Sequence, residues 1–305
     1  MSTRSQTGRV GLRVAGLLFF LLLPAPAQAQ ESESCRRGLE LRLSSQTPAQ
    51  GSLVLVEVKS KSPLADLSGE GFGQTLRFWP AGNPGHSYRA LLGVDLERPA
   101  ATFPLSINAE LESGQRVACS LLATVREGDF ALERLRVDSR YTELDPKDLE
   151  RARREGRRLR EIYASVAPER LWEGAFRPPL AGVEASGNFG RRRILNDEPR
   201  SPHSGEDYPA PAGTPVRAPQ RARVALADNL FFSGNTVVLD HGLGLYTFYA
   251  HLESLAVKEG AVVETGDLLG RVGATGRVTG AHLHWGARLN RARINPRDLL
   301  VLLSD

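Results

Sequence analysis

Apolar and polar positions alternate with a period of two over much of the chain, which is the pattern of half-buried β-strands. Between Cys35 and Phe130, short runs of this kind are separated by turns rich in Gly, Pro, Asn and Ser. The runs cover residues 39–43, 53–58, 75–79, 88–94, 102–111 and 117–125. Their spacing predicts an antiparallel, immunoglobulin-like β-sandwich over residues 30–130. We find no chemistry in this domain, and we interpret His86, beside one of its turns, as a solvated loop residue.

The period changes to that of a helix at residues 145–164, within a predicted helical linker over 131–181. Asp145 is a suitable N-cap and Pro146 suits the first helical position. A narrow apolar stripe at alternating three- and four-residue steps comprises Leu149, Ala152, Gly156, Leu159 and Tyr163. Arg and Glu fill most other positions, which favours a connecting helix with a solvated charged back. The alternative is a basic helix that touches an anionic cell-surface polymer.

Residues 182–305 are again strand-like, and the pattern predicts an all-β domain. Residues 236–242 and 246–251 form a predicted hairpin around the turn Gly242-Leu243-Gly244. Alternation along the second strand predicts that Thr247, Tyr249 and His251 share one face, opposite Phe248 and Ala250, and so form a polar groove over an apolar core.

The first 29 residues have the pattern of a secretory signal peptide. Arg4, Arg9 and Arg13 precede an apolar core over 14–23, and Ala27-Gln28-Ala29 supplies a small-x-small cleavage site. The alternative, a membrane anchor, is poorly matched because this core is too short for a bilayer. Cleavage after residue 29 lowers Lys+Arg from 39 to 36 against 35 Asp+Glu. The mature chain is then nearly neutral, which removes the charge argument for nucleic acid, and no later apolar run predicts a membrane span.

The chain has two cysteines, Cys35 and Cys119. In an exported protein an even count favours a disulfide, here between the start of the first domain and a strand near its end. The alternative is a pair of buried free thiols. Two cysteines alone do not indicate a metal site.

Histidines concentrate in the last domain. Five of the six lie there: His203, His241, His251, His282 and His284. His282 and His284 stand two residues apart in an apolar run, so an extended backbone points both imidazoles to one face. His203 and Asp207 are four apart, in a segment whose prolines and glycine exclude a long helix. A catalytic zinc takes three N/O ligands, and His203, Asp207 and one of the two strand histidines make such a set. His251 and the remaining strand histidine would flank the open position.

The run from Gly187 to Leu300 resembles the lysostaphin- and LytM-type zinc endopeptidases of bacterial cell walls. The matching pieces, in the family's order, are Gly187-Asn188-Phe189-Gly190-Arg191, His203-x-x-x-Asp207, Gly213-Thr214-Pro215-Val216, Asp240-His241-Gly242, Tyr249-Ala250-His251-Leu252, Gly273-Ala274-Thr275-Gly276 and His282-Leu283-His284-Trp285. Each piece is common, but the ordered set is specific.

This resemblance implies a zinc metallopeptidase domain over residues 182–305, with one Zn²⁺ held by His203, Asp207 and His284. It implies that His251 and His282 are the catalytic imidazoles and leaves His241 a structural role. Zinc-activated water would then be the nucleophile. One imidazole would accept its proton and pass it to the leaving amine, and the other would stabilise the oxyanion. The sequence does not assign these two roles.

The resemblance further implies an endopeptidase that hydrolyses peptide cross-links of peptidoglycan stems. Family members that cut glycine bridges carry a tyrosine shortly before the first zinc ligand, and none occurs between Tyr163 and His203. We therefore expect D-Ala–diamino acid cross-links as the substrate. We also expect an exported monomer in the periplasm or extracellular envelope.

Three roles remain open for the N-terminal domain, which could dock an envelope partner, bind the wall or shield the zinc groove. The alternative function is an inactive protein of the same fold that activates another wall hydrolase, although all five site positions are intact. A biotinyl-type carrier domain is excluded, because the only Met is Met1 and Lys258 precedes the Gly-punctuated unit at 260–270.

Overall fold

The computed structural model describes residues 32–35, 38–135 and 144–303. The predicted signal peptide, residues 1–29, lies outside this part of the chain. Strands predominate among the described residues, which confirms the mainly β fold class. None of the helices in these ranges is long and apolar enough to cross a membrane.

The N-terminal unit consists of two antiparallel sheets that share one core. Its strands are β1 (Ser32–Ser34), β2 (Leu39–Leu43), β3 (Leu53–Ser60), β4 (Leu64–Gly71), β5 (Gln74–Thr75), β6 (Trp79–Pro80), β7 (Ser87–Gly93), β8 (Thr102–Leu111) and β9 (Arg116–Thr124). The next strand, β10 (Leu132–Leu135), follows this unit. One sheet has the order β1-β2-β3-β7-β6 and the other β5-β4-β8-β9. The immunoglobulin-like topology stays a prediction.

Strict alternation explains why this core forms. Every second residue of β9 is buried and the others are exposed, so the strand turns one apolar face inward. The predicted disulfide is present: Cys119 on β9 bonds to Cys35, which follows β1. Because β1 and β9 belong to different sheets, the disulfide links the two layers.

Two elements differ from the sequence prediction. Residues 75–79 do not form one strand: β5 and β6 are two-residue strands that pair in different sheets, and both Leu76 and Trp79 are buried. Strand β4 was absent from the prediction, although it pairs with both β5 and β8. Its sequence is mostly small or polar and its middle residues are not buried, so it carries no apolar period.

The C-terminal unit is built on a large antiparallel sheet. The elements after residue 190 are β11 (Arg192–Leu195), β12 (Glu198–Arg200), β13 (Gly205–Tyr208), β14 (Pro215–Arg217), β15 (Ala222–Leu230), β16 (Gly234–Gly242), β17 (Leu245–Leu255), β18 (Val262–Val263), β19 (Leu268–Val272), β20 (Leu283–Leu289), β21 (Ala292–Ile294) and a short helix, α2 (Arg297–Leu302). The main order is β13-β20-β17-β16-β15-β18, with β14, β19 and β21 attached. Strand β10 joins β11 and β12 in a separate small sheet.

The predicted hairpin is confirmed as β16 and β17. Gly242 pairs with Leu245, which leaves Leu243 and Gly244 as a two-residue turn. Both turn residues have positive φ, 53° and 81°, the conformation that lets a tight hairpin follow the twist of its strands.

The predicted helix is confirmed as α1 (Pro146–Ala164). Asp145 Oδ1 accepts hydrogen bonds from the backbone N–H groups of Lys147 and Asp148, at 2.8 and 2.9 Å. Tyr163 is buried and its ring meets that of Tyr246 edge-on, with centroids 5.5 Å apart. The helix is therefore packed onto the C-terminal sheet rather than simply joining the two units.

The N-terminal unit contacts the C-terminal sheet at the far end of β20, around β21 and α2. Asp95 forms an ion pair with Arg293 at 2.6 Å, and the backbone N–H of Leu53 donates to Asp298 Oδ2 at 2.8 Å. Around these polar contacts lies an apolar cluster to which both units contribute, with Leu53 from the N-terminal unit and Leu289 and Ile294 from the C-terminal one. Trp172, from the segment that joins them, meets the ring of Trp79 at 5.6 Å. The β20 residues of this cluster, Ala287 and Leu289, lie three and five residues along the strand from His284.

Candidate active site

Strand register assembles the predicted ligands. β13 runs antiparallel to β20 so that Asp207 lies directly opposite His284, and Ala250 on β17 lies opposite His284 on the other side. His203 precedes β13, and its backbone N–H and C=O are both bonded to the turn at residues 190–191. Three side chains from two distant segments of the sequence therefore meet at the edge of one sheet.

The three ligand atoms lie close together. His203 Nε2 is 2.9 Å from His284 Nδ1 and 3.2 Å from Asp207 Oδ1, and His284 Nδ1 is 2.9 Å from the same carboxylate oxygen. Ligands about 2.0–2.1 Å from a tetrahedral zinc would be about 3.3 Å apart. These residues can hold a metal, and two imidazoles with one carboxylate are a donor set that suits zinc. Three protein ligands leave a fourth position on a tetrahedral zinc, and His251 and His282 lie beside it.

Asn188 fixes the orientation of two of these ligands. Its backbone carbonyl accepts a hydrogen bond from His203 Nδ1 at 3.0 Å, which leaves the lone pair of Nε2 directed at the site. Its side-chain amide donates to Asp207 Oδ2 at 2.8 Å and accepts from the Asp207 backbone N–H at 3.0 Å. Asn188 belongs to a motif noted in the sequence, but its distance of 15 residues from His203 gave no sign of this supporting role.

The electrostatics favour an ionised Asp207 beside a neutral His284. Burial alone would raise the pKa of Asp207, but hydrogen bonds from His203 and His284 outweigh it and hold that pKa well below its usual range. Burial lowers the pKa of His284, against the opposing effect of Asp207. A neutral imidazole keeps a lone pair for a metal ion, so this charge pattern suits ligation.

Gly205 makes room for the His284 ring. A Cβ at this position would lie 2.6 Å from the backbone oxygen of Trp285 and 2.7 Å from His284 Nε2. Such distances are too short for real contacts, so a larger residue would displace the strand or the imidazole. Gly205, which also disfavours a helix between His203 and Asp207, thus has a steric role as well.

His251 reaches the site by a route that the sequence did not predict. Thr247 and Tyr249 are fully buried in the core, whereas Phe248 and Ala250 line the groove, so the predicted assignment of faces is wrong. His251 joins the groove side because the alternation breaks: the pairing of β16 with β17 places two residues opposite Thr236, a β-bulge. His251 there has a φ of 63°, a left-handed conformation that is uncommon for residues other than glycine.

The two predicted catalytic imidazoles face one another. Their ring centroids are 4.9 Å apart, and each Nδ1 bonds to a backbone carbonyl, that of Thr275 for His251 and that of Gly280 for His282. A carbonyl only accepts, so Nδ1 carries the proton and Nε2 is the free nitrogen in the neutral rings. Burial lowers the pKa of His251 to about 4, which keeps it neutral near pH 7. His282 Nε2 lies 3.7 Å from Asp207 Oδ1.

His241 lies outside the site, in agreement with the structural role assigned to it. It is fully buried, and its Nδ1 donates to the carbonyl of Arg221 at 3.1 Å. Its Nε2 lies 2.8 Å from the Thr247 hydroxyl, which in turn contacts the Tyr249 hydroxyl at 2.9 Å. Burial lowers the pKa of His241 to about 4, so this network holds a neutral imidazole. His86, the histidine of the N-terminal unit, contacts the carbonyl of Ser60.

A groove of about 630 Å³ contains the whole constellation. His203, Asp207, His251, His282 and His284 all line it. Its remaining walls include the half-exposed Phe232 and the side chains of Glu133 and Arg277. An extended peptide can lie along such an open groove with one of its bonds over the metal-ligating residues.

Comparisons with known proteins agree with this site. Residues 201–296 match the model of peptidase family M23. A DD-carboxypeptidase/endopeptidase of Neisseria meningitidis serogroup B is 41% identical over 118 residues, which cover 39% of this chain and 27% of the relative. A peptidoglycan DD-endopeptidase of Vibrio cholerae serotype O1 is 43% identical over 101 residues, 33% of this chain and 24% of the relative. The matches thus span about a quarter of the length of these curated relatives.

The similarity to one solved structure extends over most of the chain. The crystal structure of a candidate M23 peptidase from Pseudomonas aeruginosa covers 83% of this chain and 95% of its own, with a TM-score of 0.62 and 28% identity. The family resemblance drawn from the sequence motifs is confirmed. Residues 201–296, which match the model of peptidase family M23, contain all three candidate ligands, His203, Asp207 and His284.

Proposed function

We propose that this protein is a zinc-dependent endopeptidase that hydrolyses D-Ala–diamino acid cross-links of bacterial peptidoglycan. The observation that carries this proposal is the meeting of His203 Nε2, Asp207 Oδ1 and His284 Nδ1 within 3.2 Å of one another, beside two further imidazoles. The names of two relatives support the choice of bond: a DD-carboxypeptidase/endopeptidase in N. meningitidis and a peptidoglycan DD-endopeptidase in V. cholerae.

The three ligands would hold zinc, which when bound polarises a carbonyl group and lowers the pKa of water to about 7. His251 and His282 are the proposed catalytic residues. Each has its Nδ1 engaged by a backbone carbonyl, so each Nε2 is available to the substrate. One can accept a proton from water at Nε2 and deliver it to the leaving amine. The other, whose Nδ1–H is held by a carbonyl, can donate from Nε2 to the developing oxyanion only in its protonated form.

The proposed location is the bacterial envelope, either periplasm or extracellular space. The pattern of residues 1–29 and the disulfide between Cys35 and Cys119 support export, because disulfides persist in oxidising compartments. The peptide stems of peptidoglycan are the proposed partner of the groove. The N-terminal unit is the proposed contact for an envelope partner, and the protein is proposed to act as a monomer.

The test is incubation of the mature protein with isolated wall sacculi, with and without a metal chelator. We expect new free D-Ala carboxyl ends and diamino acid amines, identified by mass spectrometry of the released fragments, and we expect chelator to abolish them. A His284→Ala protein serves as the matched inactive control. If sacculi release nothing while the protein binds and stimulates another wall hydrolase, the endopeptidase proposal is wrong and the activator function replaces it.

A further inference from the structure

A second cavity, of about 770 Å³, adjoins the active-site groove. Helix α1 forms one wall, through residues between Gly156 and Ala164, and the β20–β21 hairpin forms the other. Phe248 and His284 line both this cavity and the groove. A molecule bound over the metal-ligating residues can therefore extend directly into this second space.

The cavity is lined by an excess of positive charge. Four guanidinium groups and one carboxylate belong to its walls: Arg157, Arg160, Arg288, Arg291 and Glu161. In the described part of the chain, the four arginines form no ion pair with a carboxylate. By contrast, their neighbour Arg158 pairs with both Asp228 and Glu259 at 2.6 Å. Among the described residues, the four arginines therefore face the cavity without a carboxylate partner of their own.

The orientation of α1 explains this division. Its apolar positions, including Leu159 and Tyr163, pack on the sheet, and Arg151 and Arg158 bind to residues at the end of β15. Positions 157, 160, 161 and 164 follow a separate i, i+3, i+4, i+7 stripe, and all four line the cavity. Because two other faces of the helix are anchored, this charged face is held toward the active site.

Arg288 is the most enclosed of the four arginines. Its guanidinium lies 4.7 Å from the centre of the Tyr163 ring, and its Nη1 donates to the backbone carbonyl of Arg291 at 3.1 Å. Burial lowers its pKa, but a guanidinium stays protonated in proteins. Stacking on Tyr163, whose ring is itself fixed against Tyr246, gives this cation a defined position.

We propose that this cavity is a carboxylate-binding subsite, which receives a free carboxylate of the cross-linked peptide on one side of the scissile bond. Guanidinium groups bind carboxylates through paired, charge-assisted hydrogen bonds, and four of them around one space favour an anionic group over a neutral one. Arg157 and Arg160 lie outside residues 201–296, so this part of the subsite is contributed by the helix and not by the matched peptidase domain. The inference rests on the proposed function for its substrate.

The test measures binding without requiring turnover. The zinc-loaded full mature chain carrying His282→Ala is titrated calorimetrically with a dimeric cross-linked muropeptide, and with the same dimer after its carboxylates are converted to amides. We expect the native dimer to bind at least about tenfold more tightly than the amidated one. The double variant Arg157→Gln/Arg160→Gln should lose this preference while its affinity for the amidated dimer is unchanged.

The matched control is Arg153→Gln/Arg154→Gln, which removes the same charge from exposed positions of the same helix that do not line the cavity. It should retain the preference. Any of three results would overturn the subsite. The first is equal affinity of the His282→Ala protein for the two dimers, and the second is no binding of either dimer. The third is the same loss of preference for the native dimer in both double variants. Failure of the unmodified enzyme to cut sacculi would instead refute the proposed function, because the binding comparison does not depend on cleavage.

Discussion

His251 and His282 face each other with ring centroids 4.9 Å apart, although their strands reach the groove in different ways. His282 precedes β20 in ordinary extended backbone, two residues before His284 on the same face. His251 lies in a β-bulge of β17 with a φ of 63°. A residue held in this conformation is sustained by its surroundings, here by a backbone hydrogen bond from its N–H to Ser233. The pairing of these two imidazoles supports a shared catalytic role.

Replacement of either imidazole separates catalysis from metal binding. We expect His251→Ala and His282→Ala proteins to keep stoichiometric zinc and to lose about 10²–10⁴-fold in kcat, the usual contribution of a general acid–base group. Elemental analysis of the purified proteins and the rate of cross-link cleavage measure the two effects. Loss of zinc from either variant would place that histidine among the ligands instead.

His284→Ala should abolish both zinc binding and hydrolysis. The imidazole supplies Nδ1, which lies 2.9 Å from ligand atoms of both His203 and Asp207, so its removal leaves two donors. The control is His86→Ala, in the N-terminal unit, which should keep one zinc per chain. A His284→Ala protein that retained stoichiometric zinc would contradict the ligand assignment.

Asn188→Ala tests whether a side chain that is not itself a proposed metal ligand positions the ligand Asp207. It removes the side-chain bonds to Asp207 but keeps the backbone carbonyl that accepts from His203. Loss of such an outer contact typically weakens metal affinity about 10–100-fold, and we expect a change in this range in competition with a chromophoric chelator. The exposed Asn83→Ala is the control. An unchanged zinc affinity would mean that the Asn188 side chain does not position Asp207.

Gly205→Ala should disturb the site by steric contact alone. The new Cβ would lie 2.6 Å from the backbone oxygen of Trp285 and 2.7 Å from His284 Nε2, so β13 must move away from β20 or the imidazole must turn. We expect weaker zinc binding and a lower unfolding temperature. Gly280→Ala, close in sequence to His282 but with no atom within 4 Å of its Cβ, should change neither. Normal zinc affinity in Gly205→Ala would contradict this prediction.

Asp298→Asn should stabilise the contact between the two units at neutral pH. Burial raises the pKa of Asp298 to about 6, against the lowering effect of its hydrogen bond from Leu53. A carboxyl whose folded pKa lies above its unfolded value costs stability as pH rises through about 6, and the full cost applies above that pH. An amide keeps an oxygen that can accept from Leu53 without the charge. A shift of about two pKa units corresponds to about 3 kcal/mol, and we expect a gain of about 1–3 kcal/mol at pH 7.5.

Urea unfolding at pH 7.5 and at pH 4.0 measures this effect. At the lower pH the carboxyl is protonated in the folded protein, so the advantage of the amide should largely vanish. Asp66→Asn, on an exposed part of β4, is the control. It should be as stable as the unsubstituted protein at each of the two pH values. A stability gain that did not depend on pH would show that the ionisation of Asp298 is not the cause.

Local pattern alone predicted much of the C-terminal fold. The hairpin of β16 and β17 follows from two alternating runs around Gly242-Leu243-Gly244, and α1 follows from Asp145, Pro146 and an apolar stripe. These features depend on near neighbours in the chain, where backbone conformation and capping act. Strand β4 carries no such local signal, because its neighbours in the sheet rather than its own apolar period hold it in place.

The sequence by itself determined the set of candidate site residues: His203, Asp207, His251, His282 and His284 are all named from type, spacing and motif order. Only the tertiary structure decided how they meet. The register of β13 against β20 brings Asp207 opposite His284 across 77 residues, and a bulge reverses the face of His251. The packing of α1 turns Arg157 and Arg160 toward the same site. Each of these depends on pairing between distant segments, and a period of two or 3.6 residues carries no information about such pairing.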